Sequence, residues 1–115
     1  MDSKVIAVDF DGTLCANNYP KIGIANNKVI EELIELQKNG HKLILWTCRE
    51  GSLLDEAVLF CAEHGLCFDA VNNNIPERIE MYGTNPRKIG ADLYIDDLAV
   101  IPDSLFANNY PIKKS

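Results

Sequence analysis

The stretch from Val5 to Leu14 constrains this chain most, because Val5-Ile6-Ala7-Val8 runs straight into Asp9-Phe10-Asp11-Gly12-Thr13. A short continuous apolar run bounded by a turn signal describes a strand buried on both faces, as in a parallel sheet. Such sheets bind ligands at the carboxyl ends of their strands, which is where Asp9 and Asp11 fall. At 115 residues the chain is expected to form one domain over residues 1–115. That length suffices to bury roughly two-thirds of the unfolded surface without disulfides.

The remaining elements repeat the strand-then-helix pattern. Cys15 to Ala25 is rich in Asn, Pro and Gly, has no helical period and reads as a loop too short to be a separate lid. Asn26 or Asn27 caps a helix running to Asn39, with Val29, Ile30, Leu33, Ile34 and Leu36 on its inner side and Gly40 ending it. Lys42 to Thr47 is a second buried strand with a polar exit at Thr47. Ser52 with Asp55 resembles a capping box that opens a second helix, stopping at Gly65. Cys67 to Val71 is a short third strand; Asn72-Asn73-Asn74 follows, and Pro76 starts a helical turn through Met81. Asp92 to Ile95 is the fourth strand and delivers Asp96-Asp97. Alternating strands and helices imply an α/β fold with a mainly parallel, open sheet in a three-layer α/β/α, Rossmann-like arrangement.

Charge and cysteine usage narrow the partners. A formal net charge of -6 argues against extended nucleic-acid binding, which needs a positive surface, but permits one phosphate held by a local cation. Cys15, Cys48, Cys61 and Cys67 have no CxxC spacing and read as reduced thiols of a cytoplasmic protein. No apolar run approaches the ~20 residues that span a bilayer, so no membrane partner is expected. The pentapeptide Ala-Asn-Asn-Tyr-Pro occurs at 16–20 and again at 107–111, which reads as two loops of like composition rather than a solenoid repeat. The tail ending in Lys113-Lys114-Ser115 is expected to be mobile.

The strand ends supply, in chain order, Asp9 with Asp11, then Thr47, then Lys88, then Asp96 with Asp97. Bringing Asp9, Asp96 and Asp97 together sets like charges within a few Å, so they must raise one another's pKa or share a cation. Hard oxygen ligands with an incomplete protein shell suit Mg²⁺, which keeps waters and binds substrate phosphate.

This order closely resembles the haloacid dehalogenase (HAD) superfamily of phosphohydrolases over residues 4–101. Asp9-Phe10-Asp11-Gly12-Thr13 matches its first motif, Asp-x-Asp-Gly-Thr after an apolar strand. Thr47 matches the strand-end hydroxyl of the second, Lys88 the lysine of the third, with Arg87 and Arg78 as substitutes, and Asp96-Asp97 the acidic pair of the fourth. The resemblance implies a HAD-like fold and a phosphatase acting on a phosphorylated substrate, small or macromolecular, through an aspartyl phosphate on Asp9. Asp11 is then the general acid and base, while Thr47, the amide of Cys48 and Lys88 hold the phosphoryl oxygens. Asp9, Asp11 (through its carbonyl), Asp96 and Asp97 hold Mg²⁺. Members acting on carbon usually lack the second acid, so Asp11 favours phosphoryl transfer. Only short connections occupy the places where a cap domain is inserted, which implies a capless member whose open site admits a bulky substrate, is covered by a partner subunit in a homo-oligomer, or gains modest selectivity from the loop Cys15 to Ala25 with the turn after Asn72.

Rival readings follow from the same residues. The first motif alone fits a calcium loop, but no Glu follows at the required spacing. A two-component receiver domain has its acidic pair early, whereas here the pair closes the series. A non-catalytic phosphate-binding or interaction module retaining the fold is the rival of another class. Arg49 reads equally as a substrate contact or a surface arginine. His41 and His64, at helix ends, read as dipole-compatible surface residues. Core packing accounts for Trp46, and Cys48 has no nearby histidine to make it a thiolate.

Overall fold

In a computed structural model, residues 3–99 are described. The elements in chain order are β1 (Val5–Val8), β2 (Cys15–Asn18), β3 (Lys21–Ala25), α1 (Asn27–Lys38), β4 (Lys42–Leu45), α2 (Gly51–Glu63), β5 (Ala70–Val71), α3 (Pro76–Tyr82) and β6 (Leu93–Ile95). Four strands form one sheet in the order β5-β4-β1-β6, and every pairing in it is parallel. The apolar run of β1 therefore lies inside the sheet, in register with β4 from Val5–Lys42 to Val8–Leu45.

Side chains alternate across a strand, and the core divides accordingly. Ile6, Val8, Leu43 and Leu45 join Ile30 and Leu33 of α1 and Ala57 and Cys61 of α2. Val5, Ala7 and Ile44 point the other way and meet Ile75 and Ile89. Full burial of one such aliphatic side chain stabilises by about 1.5–3 kcal/mol, which is what holds α1 and α2 on the first face. α3 buries none of its own residues; Ile75, at its N-cap, makes the contact.

Several expectations change. Cys15 to Ala25 is an antiparallel hairpin, β2 with β3, not a loop. Its pairing was hidden because β2 (Cys-Ala-Asn-Asn) exposes three of its four residues and so lacks apolar alternation. The first Ala-Asn-Asn-Tyr-Pro copy is thus strand plus turn, and the register shifts between Cys15 and Asn17. A Cβ on Gly23 would collide with the Ala16 carbonyl, so this irregular pairing requires glycine. The second copy and the lysine tail lie outside the described residues.

The Ser52–Asp55 capping box does not open α2. Glu50 is the N-cap without a side-chain bond, and the Leu54 amide already donates to the Glu50 carbonyl, which puts Ser52 inside the first turn. Asn26 does cap α1, its side chain accepting from the Val29 amide. Pro76 opens α3, and Gly83, at φ 75°, ends it. Strand pairing stops at Leu45, leaving Trp46 and Thr47 at the exit. Trp46 is 37% exposed and is not core packing, because the strand has run out before its ring can enter the interior.

Candidate functional site

Numbering the parallel strands by appearance, their spatial order is 3-2-1-4, and the order reverses between the first (β1) and the fourth (β6). Strands that diverge in this way leave a crevice beyond their carboxyl ends. Asp9 leaves β1 there, its amide donating to the Ile95 carbonyl at 2.9 Å, and Asp96-Asp97 leaves β6 beside it.

Asp9, Asp96 and Asp97 each offer one oxygen, and these lie within 4.8 Å of one another. Burial above all, then the charge of Asp96, raises the Asp9 carboxyl to about 6; Asp97 adds to this, and the Phe10 amide opposes it. The Thr13 hydroxyl also faces Asp9, at 3.4 Å. One Asp96 oxygen accepts from the Leu98 amide at 2.9 Å, which fixes that carboxylate in the turn after β6. Gly12 is needed twice over: its φ is +87°, and a Cβ there would overlap the Asp97 carboxylate. The absence of a side chain at Gly12 is therefore what admits the Asp97 carboxylate beside it.

Asp11 is not a member of that triad of carboxylates. Its two oxygens accept from Nε and Nη2 of Arg49, each at 2.8 Å. Arg49 is 1% exposed, and the remaining bonds of its guanidinium go to the carbonyls of Pro20 and Lys21 at 3.1 Å. Pairing with Asp11 holds the guanidinium above its ordinary range, against the effect of burial.

Thr47 sits at the neighbouring exit. Its amide donates to the Asn72 side chain at 2.8 Å, and its hydroxyl oxygen accepts from the Arg49 amide at 3.2 Å, which leaves the hydroxyl proton for a ligand. Among the described residues the Cys48 amide has no hydrogen-bond partner, and its side chain is exposed. Lys88 is exposed and lines, with Ala7, Trp46, Ile89, Tyr94 and Asp96, a cavity of ≈ 610 Å³. Of its substitutes, Arg78 is committed to Asp92 at 3.0 Å and to Tyr82, and Arg87 is exposed.

No protein-family model and no curated protein matches the sequence. A solved structure of a conserved protein from Bacteroides thetaiotaomicron is similar to it, at 49% identity and a TM-score of 0.77, over 89% of this chain and 84% of that one. The two chains belong to one family. The likeness carries the fold, a mixed α/β domain with a mainly parallel sheet, and names no reaction.

Two kinds of residue in this family member escape a reading of motifs. Arg49 looks like any polar residue after a strand, and only its burial discloses its role. The triplet Asn72-Asn73-Asn74 reads as a break, yet each residue is spent on fixing loops. Asn72, at φ 50°, holds the Thr47 amide, and Asn73 accepts from Asn85 at 2.9 Å. Asn74, 1% exposed, donates to Asn85 and the Pro86 carbonyl and accepts from the Gly90 amide at 2.6 Å, which ties down the loop that carries Lys88. Asparagine's tolerance of positive φ and its double-ended amide were the available signals.

Proposed function

We propose that the chain is a HAD-type, Mg²⁺-dependent phosphohydrolase of three-layer α/β/α build without a cap, cleaving phosphomonoesters through an aspartyl phosphate on Asp9. The observation that carries this reading is the convergence of Asp9, Asp96 and Asp97 at the strand-order reversal. A set of hard carboxylate oxygens, in which burial above all and then the charge of Asp96 raise Asp9, fits a divalent cation such as Mg²⁺, with Asp9, Asp96 and Asp97 as the side chains that would hold it. When bound, the cation supplies charge neutralisation between carboxylate and phosphate.

The chain's own residues account for the rest. An Asp9 oxygen attacks phosphorus in line as the bond to the leaving oxygen breaks, and Asp11 gives that oxygen its proton. Water then attacks the phosphorus of the aspartyl phosphate while Asp11 takes its proton back, which releases inorganic phosphate and restores Asp9. The Thr47 hydroxyl, the Cys48 amide and Lys88 supply donors to the phosphoryl oxygens. A panel of phosphate esters with Mg²⁺ tests this: hydrolysis of at least one, abolished by a chelator, is expected, and no turnover of any ester overturns the reading. A non-catalytic phosphate-binding module is the second reading, favoured by the Arg49 grip on both Asp11 oxygens. Saturable phosphate binding without turnover would select it.

The carboxylate cluster makes a separate prediction about stability. Because the Asp9 carboxyl lies near 6 in the folded protein, above its ordinary 3.8, the folded state holds the extra proton between those values. Its contribution to stability is thus fully present below about 4 and is lost as pH rises through about 6. Mg²⁺ takes the ionised form, so its stabilisation runs the other way. At a hundredfold excess over its Kd the increment is about 2.7 kcal/mol, or roughly 10 °C in Tm, at pH 8 and little at pH 4. Thermal scans of wild type and Asp96→Asn check this; an equal shift in both proteins would place the cation elsewhere.

A further inference from the structure

The hairpin and Asp11 meet on one side chain. Arg49 gives Nε and Nη2 to the two Asp11 oxygens and Nη1 and Nη2 to the carbonyls of Pro20 and Lys21, at the turn between β2 and β3. The rings of Phe10 and Tyr19 lie 5.1 and 5.2 Å from its Cζ, within cation–π range. Arg49 is thus held by the hairpin through two carbonyls and Tyr19, and by the motif-one strand exit through Asp11 and Phe10. A planar fork fixed at both ends transmits displacement: the hairpin cannot lift with Arg49 attached unless Asp11 turns or loses a bond.

Both Asp11 oxygens are engaged by the Arg49 fork, so the fork sets how that carboxylate is turned. We propose that Arg49 is a positioning residue that couples the seating of the β2–β3 hairpin to the orientation of Asp11. The coupling stands on the contacts alone.

Amide hydrogen exchange on the full-length protein tests the coupling without reference to activity. Asp11→Asn keeps the side-chain shape but opposes one Arg49 donor with an NH₂, and should speed exchange across residues 17–22 about tenfold while leaving the β4 amides unchanged. Asp9→Asn removes a neighbouring charge that makes no bond to Arg49, and should leave hairpin exchange as in wild type. Unchanged hairpin exchange in Asp11→Asn, or equal acceleration in both variants, overturns the coupling.

Discussion

Asp9→Asn should reduce phosphomonoester hydrolysis by about 10⁴-fold or more while leaving the fold as stable as before at acid pH and more stable at pH 8. The two halves have one cause. An amide nitrogen or oxygen does not replace the carboxylate as a nucleophile toward phosphorus, so the covalent route is lost rather than slowed. At the same time the substitution removes the charge that burial, Asp96 and Asp97 disfavour. The Thr13 hydroxyl, at 3.4 Å, still finds an oxygen to donate to. Near pH 4 wild-type Asp9 is already protonated and the two proteins should melt together; above about 6 the variant should melt higher. Kinetics and melting at two pH values therefore separate lost chemistry from lost structure. Retained turnover, or a variant less stable at pH 8, would remove Asp9 from the nucleophile's position.

Much of this site was legible in the order of residues, because strand exits are local. Val5 to Val8 ends at a turn whose acids must lie at the sheet's carboxyl edge, and the same logic places Thr47 and Asp96-Asp97. The convergence of Asp9, Asp96 and Asp97 then follows from β1 and β6 being neighbours, which a parallel sheet permits but a sequence does not specify. What escaped depended on contacts between distant segments. Arg49 meets Asp11 across 38 residues and Lys21 across 28, and no periodicity marks a charge that is to be buried. The hairpin escaped for a different reason: β2 and β3 bury little, so their pairing rests on backbone bonds and on Gly23 rather than on an apolar pattern. The Asn triplet was visible as a break, but its side-chain bonds to Thr47 and to the Lys88 loop run over 11 to 25 residues.

Arg49→Met should be the most destabilising single change at the site, and its partner should reverse much of the loss. Methionine fills the space but leaves Asp11 ionised without its fork, and breaking a buried ion pair from one side costs about 3–5 kcal/mol. Asp11 retains 17% side-chain exposure, which sets the expectation at the lower end, about 3 kcal/mol or roughly 10 °C in Tm. The carbonyls of Pro20 and Lys21 also lose their donor, but both residues are exposed and water can replace it. Most of the loss should thus be the stranded carboxylate. Adding Asp11→Asn to Arg49→Met removes that charge at constant shape and should restore at least about half of the lost stability, a coupling readable from urea unfolding of the four proteins in the cycle. If the double variant is no more stable than Arg49→Met alone, anchoring of the hairpin and not neutralisation of Asp11 is the main work of the guanidinium. That result would leave the hairpin held chiefly by Arg49's bonds to Pro20 and Lys21, with the Asp11 pair a consequence of where the arginine is fixed.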